Sequence, residues 1–114
     1  MTRQQRRALE RRAAQYAGHI LAMLESSGAS RVVPLSNYRD EADYRVIMGT
    51  SEFSFEEWRT LNMATMELLR DGGCVVVLAD LVPEEYLLWL RHNGLVNDTQ
   101  ARAQYASLRA IPPR

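Results

Sequence analysis

The chain has 114 residues and no net charge, 14 basic side chains balancing 14 acidic ones. Apolar residues make up 46% and charged residues 25%, the profile of a folded domain rather than a disordered polyelectrolyte. Every basic residue is arginine and Cys74 is the single cysteine, which excludes lysine Schiff-base or phosphate-loop chemistry, an internal disulfide and a cysteine-rich zinc site.

This length predicts one globular domain over residues 1–114, large enough to bury about two thirds of its unfolded surface. Charge is unevenly placed along it. Residues 1–12 hold five arginines against Glu10 alone, whereas the rest carries nine arginines and thirteen acids. The expected molecule is a basic helical arm on a mildly acidic body. The longest apolar run, residues 74–79, is too short to span a membrane, and no secretory pattern follows the basic start. Cytoplasmic placement is the expectation.

The first helix is predicted over residues 3–25. Thr2 and Gln5 have capping-box spacing. Leu9, Ala13, Tyr16, Ile20 and Met23 recur at steps of three and four, and Ala17, Leu21 and Leu24 widen the stripe. Gly28 supplies the stop. Two strands are expected next. Residues 31–35 read as an edge strand because Pro34 cannot donate to a ladder, and residues 44–48 alternate as a second strand after a polar loop.

A second helix starts at a capping box formed by Ser54 and Glu57, with Glu56 and Glu57 complementing its dipole. Trp58, Leu61, Thr65, Leu68 and Leu69 define its buried face, and Gly72-Gly73 ends it. Residues 74–79 are apolar throughout and read as a strand covered on both faces. Pro83 opens a helix to His92, Asn93-Gly94 stops it, and Asn97 with Gln100 has the spacing of a further cap. The last helix runs to Arg109 with Ala101, Tyr105 and Leu108 inward, and residues 110–114 form a tail.

The resulting fold class is α+β: a small three-stranded mixed sheet in α-β-β-α-β-α-α order, covered by helices. Its most apolar strand would lie at an edge, an aggregation hazard that pairing with a second copy would relieve. A homodimer with a continuous sheet follows as the expectation.

No arrangement of nucleophile, base and orienting group can be assembled, so no catalytic residues are assigned. Cys74 enters an apolar strand and reads as a small core residue. His92 is explained by its place in the last turn of a helix, and His19 has no partner at helical spacing. No metal site and no cofactor is expected, and nucleotide-binding glycine fingerprints are absent. Thr50, Ser51 and Ser54 read as turn and cap residues. The last helix pair has the outline of a helix-turn-helix, but Leu90 stands where a small residue is wanted and Gln100 where an aliphatic one is.

Two binding surfaces remain. The run 86–90 is apolar all the way round its helix, so one side faces the core and the other a neighbour or partner. Tyr86, Leu88 and Trp89 are its candidate contacts, with Phe53 and Phe55 as a smaller second group. The leading expectation is a non-catalytic protein-interaction module (adaptor, regulator or inhibitor) that also pairs with itself. The alternative is a nucleic-acid-associated regulator whose Arg3, Arg6, Arg7 and Arg11 contact phosphates.

Overall fold

A computed structural model describes residues 1–110; the expected tail from 111 onward lies outside them. Five helices and two strands follow in the order α1 (Arg3–Ser27), β1 (Val32–Asn37), α2 (Glu41–Met48), α3 (Phe55–Asp71), β2 (Val75–Asp80), α4 (Pro83–Asn93) and α5 (Thr99–Arg109). The α+β mixture stands, but the sheet has two strands rather than three. The Val75 amide donates to the Arg31 carbonyl and the Leu81 amide to that of Asn37, both at 2.9 Å. Both strands advance by six residues between these bonds, so they run parallel.

The missing strand is α2. Residues 44–48 satisfy a two-residue alternation, but five residues are too few to separate that period from a helical one. The helix wins because its ends are specified. The Asp40 side chain accepts from the Asp43 amide at 2.8 Å, and Glu41 and Asp43 sit in the first turn. Arg45 pairs with Glu41 at 2.8 Å, one turn away, and Gly49 closes the helix. Tyr44 and Ile47 are buried while Val46 faces out, which is helical spacing.

Pro34 lies in the middle of β1. Because odd-numbered residues of β1 direct their backbone groups to β2, the amide nitrogen of Pro34 faces the outer edge, where no donor is required. The expectation that β2 is covered on both faces is corrected: Val75 is 61% and Leu78 45% exposed.

The chain divides into two compact units, and both strands begin in the first and end in the second. The first unit comprises Met1–Val33 and Glu52–Val76. Here α1 packs along α3. Leu9, Ala13 and Leu61 form its core, with Phe53 and Ala64 packed against them. Ala13 and Ala17 are the most deeply buried residues of α1, whereas Tyr16 and Met23 of the expected stripe are exposed. Both expected capping boxes, Thr2 with Gln5 and Ser54 with Glu57, are formed. The basic start of the chain is therefore a capped helix.

At the end of α3 the two glycines serve different needs. A Cβ on Gly72 would stand 2.8 Å from Leu21 Cδ2, so Leu21 can lie across the turn only over a glycine. Gly73 has φ of +88°, a conformation that side-chained residues rarely adopt. The Arg31 guanidinium donates to the Gly72 carbonyl at 3.1 Å and satisfies that helix end.

The second unit comprises Pro34–Ser51 with Val77 onward, described through Ala110. Its helices are α2, α4 and α5, with α2 packed on α4. The core is aromatic: Tyr38 meets Tyr44 edge-on at 5.3 Å, and Tyr86 meets Tyr105 edge-on at 5.2 Å. Asp98, not Asn97, caps α5 by accepting from the Ala101 amide at 2.8 Å. Among the described residues no helix is long and apolar enough to cross a membrane.

Candidate functional site

The second unit carries an open groove of about 410 Å³ between α4 and α5. From α4, residues Glu85, Leu88, Trp89 and His92 line it, an i, i+3, i+4, i+7 strip on one helix face. From α5 come Tyr105, Leu108 and Arg109, again one face. Pro83 at the first position and Gly94 in the left-handed conformation set the length of α4, and the Asp98 cap starts α5.

The floor is aromatic. Trp89 stacks near Tyr86 with centroids 6.2 Å apart and meets Tyr105 edge-on at 5.2 Å. Leu88 and Leu108 form the walls and are 52% and 55% exposed. Arg109 places its guanidinium 5.7 Å from the Tyr105 ring centre and pairs with Glu85 at 2.8 Å, joining the two helices at the rim. Burial pushes the Tyr105 phenol above its ordinary value, with Arg109 opposing the shift. The groove thus combines apolar walls, an aromatic floor and polar side chains (Glu85, His92 and Arg109), a composition suited to an apolar side chain carried on a polar chain.

The sequence-derived contacts separate. Leu88 and Trp89 lie in the groove, and Trp89 is half-buried. Tyr86 lies outside the groove lining: it is fully buried, and its hydroxyl donates to Asn97 Oδ1 at 2.8 Å. Phe53 and Phe55 belong to the first unit and are half-buried. Arg12 lies over the Phe53 ring at 5.5 Å, while Phe55 stacks on Trp58 at 5.7 Å. Both serve packing around the start of α3. Arg3, Arg6, Arg7 and Arg11 are exposed along α1.

Sequence reasoning places Leu108 inward, gives His92 only a helix-dipole role and assigns Glu85 and Arg109 to no surface. The signal was the α4 strip itself, whose spacing names the face that holds Leu88 and Trp89. Elsewhere, Cys74 is buried at the turn after α3, its amide donating to the Leu69 carbonyl at 2.9 Å. Among the described residues no group of three His, Cys, Asp or Glu side chains is placed to hold a metal ion. The chain matches no protein-family model, and no curated protein matches it.

Proposed function

We propose that this chain is a non-catalytic protein-interaction module, an adaptor, regulator or inhibitor, whose partner surface is the α4–α5 groove. The observation that carries the reading is the exposure of Leu88 and Leu108 on either side of the Trp89 and Tyr105 rings. Exposed leucines are ordinary singly, but here they border one concavity with an aromatic base, the composition of an anchor pocket.

The test is selection from a displayed library of random peptides on the immobilised full chain. Selected peptides are expected to share an apolar anchor and to lose binding to Leu88→Glu and Leu108→Glu. Binders indifferent to both substitutions would place recognition elsewhere.

Self-pairing is part of the same reading and rests on β2. Among the described residues its outer edge has no strand neighbour, and Val75 and Leu78, on opposite faces of the strand, are both exposed. A second copy adding β2 to β2 would extend the sheet. Light scattering is expected to give twice the 13.0 kDa chain mass, falling to the single mass in Leu78→Lys. A single mass for the unaltered chain at every accessible concentration overturns this part.

A further inference from the structure

The first three turns of α1 expose Arg3, Arg6, Arg7 and Arg11, and none of the four forms an ion pair among the described residues. Arg12 differs: it is drawn onto Glu52 at 2.8 Å and over the Phe53 ring. The four exposed arginines are costly as a purely structural feature. Positive charge in a first turn opposes the helix dipole, and Arg3, Arg7 and Arg11 repel one another at four-residue spacing. α1 has no acid in its first turn, whereas α2, α3 and α4 each have two. The capping box nevertheless holds this segment helical, with the Thr2 amide donating to Gln5 Oε1 at 2.8 Å and the Gln5 amide to Thr2 Oγ1 at 3.1 Å.

We infer that this arginine face of α1 is a phosphate-contact surface for the backbone of a nucleic-acid duplex, engaged without sequence readout. Three features select this partner among polyanions. Arg3 to Arg11 spans about 12 Å along the helix axis, the axial length of roughly three to four phosphates of one strand. Between residues 2 and 15 no exposed position carries a large apolar side chain, and the exposed Met1 and Tyr16 that flank this span do not make the continuous apolar face that an interfacial helix sinks into a bilayer. The arginine span holds no aromatic residue on which unpaired bases could stack, and Tyr16 just beyond it is engaged by Arg12, which lies 5.9 Å over its ring; this favours a duplex over a single strand. The surface is distinct from the α4–α5 groove and does not depend on it.

The experiment is fluorescence anisotropy with a mixed-sequence DNA duplex of roughly 20 base pairs, titrated at several salt concentrations. Four phosphate contacts predict a slope of log K against log salt of about −3.6, a loss near 150-fold between about 50 and 200 mM. Arg3→Gln with Arg7→Gln and Arg11→Gln is expected to bring the slope to about −1, and the triple lysine variant to keep it. The glutamine variant relieves repulsion, so its circular dichroism and melting temperature should hold or rise; Leu88→Glu should bind the duplex like the parent chain. Three outcomes overturn the inference: no duplex binding at low salt, an unchanged slope in the folded glutamine variant, or binding confined to phosphatidylserine vesicles.

Discussion

Asn97 accepts the hydroxyl of Tyr86 at 2.8 Å while its own amide donates to the carbonyl of Ile47 at 2.7 Å. Ile47 lies in the last turn of α2, where carbonyls have no partner within the helix. One side chain from the α4–α5 turn therefore closes the end of another helix and satisfies the most buried phenol of the second unit. Arg102 adds a third bond, donating to Asn97 Oδ1 at 3.0 Å.

Replacing Asn97 by Ala should destabilise the chain by about 1–3 kcal/mol, because a part-buried carbonyl and a buried hydroxyl both lose their partner. Tyr86→Phe should cost about 1 kcal/mol, since Asn97 keeps Arg102 and Ile47. Urea unfolding midpoints measure both. Equal costs would mean that the Ile47 bond contributes nothing.

The two glycines after α3 should respond differently to alanine. Gly72→Ala forces Leu21 to move, and a Leu21→Ala background, which removes the crowding atoms, should recover the loss. Gly73→Ala strains the backbone at φ +88°, costing about 1–2 kcal/mol, with no recovery from Leu21→Ala. A double-mutant cycle on thermal or urea unfolding separates the cases.

Alkaline pH should unfold the second unit. Burial pushes the Tyr38 phenol well above its ordinary value, against the pull of Arg102, and it raises Tyr86 and Tyr105 in the same direction. A phenol whose folded pKa is raised keeps its proton longer in the folded state than in the unfolded chain. Its stabilising effect is complete below the unfolded value of about 10 and is lost as pH climbs from there through the folded value. Stability measured between neutral pH and about 11 should fall above about 10, and Tyr38→Phe should flatten that fall.

The Glu85–Arg109 pair is half-exposed on both sides, so Glu85→Gln should change stability by less than about 1 kcal/mol. Groove-dependent peptide binding should change more, because Arg109 is then released from the rim. Loss of folding in this variant would give the pair a structural role that its solvent contact does not support.

Much of this architecture was legible in the residues, and the boundary between what was and was not is physical. Thr2 with Gln5 and Ser54 with Glu57 announced two helix starts because a capping box is local chemistry, complete within four residues. Pro83, Gly28 and Gly94 marked ends for the same reason. The α2 segment reads as a strand because alternation over five residues cannot be told from a short helical pattern, whereas the Asp40 cap on the Asp43 amide specifies a helix start. Asn97 has cap spacing but is taken up by Tyr86 and Ile47, eleven and fifty residues away and beyond the reach of local pattern, leaving Asp98 to cap α5. The groove was half legible: the 86–90 run gave Leu88 and Trp89, but which face of α4 meets α5 depends on tertiary packing, and this turned Tyr86 inward.

Pro34 has a consequence for how this small sheet can grow. The outer margin of β1 lacks a donor at its centre, so a newly arriving strand finds an interrupted row there and a complete one only along β2. With a single receptive side, two chains joined by a two-fold axis have used up their capacity for further addition. The same proline that weakens the strand also keeps any such joining finite, where two open margins would let it run on into a fibre.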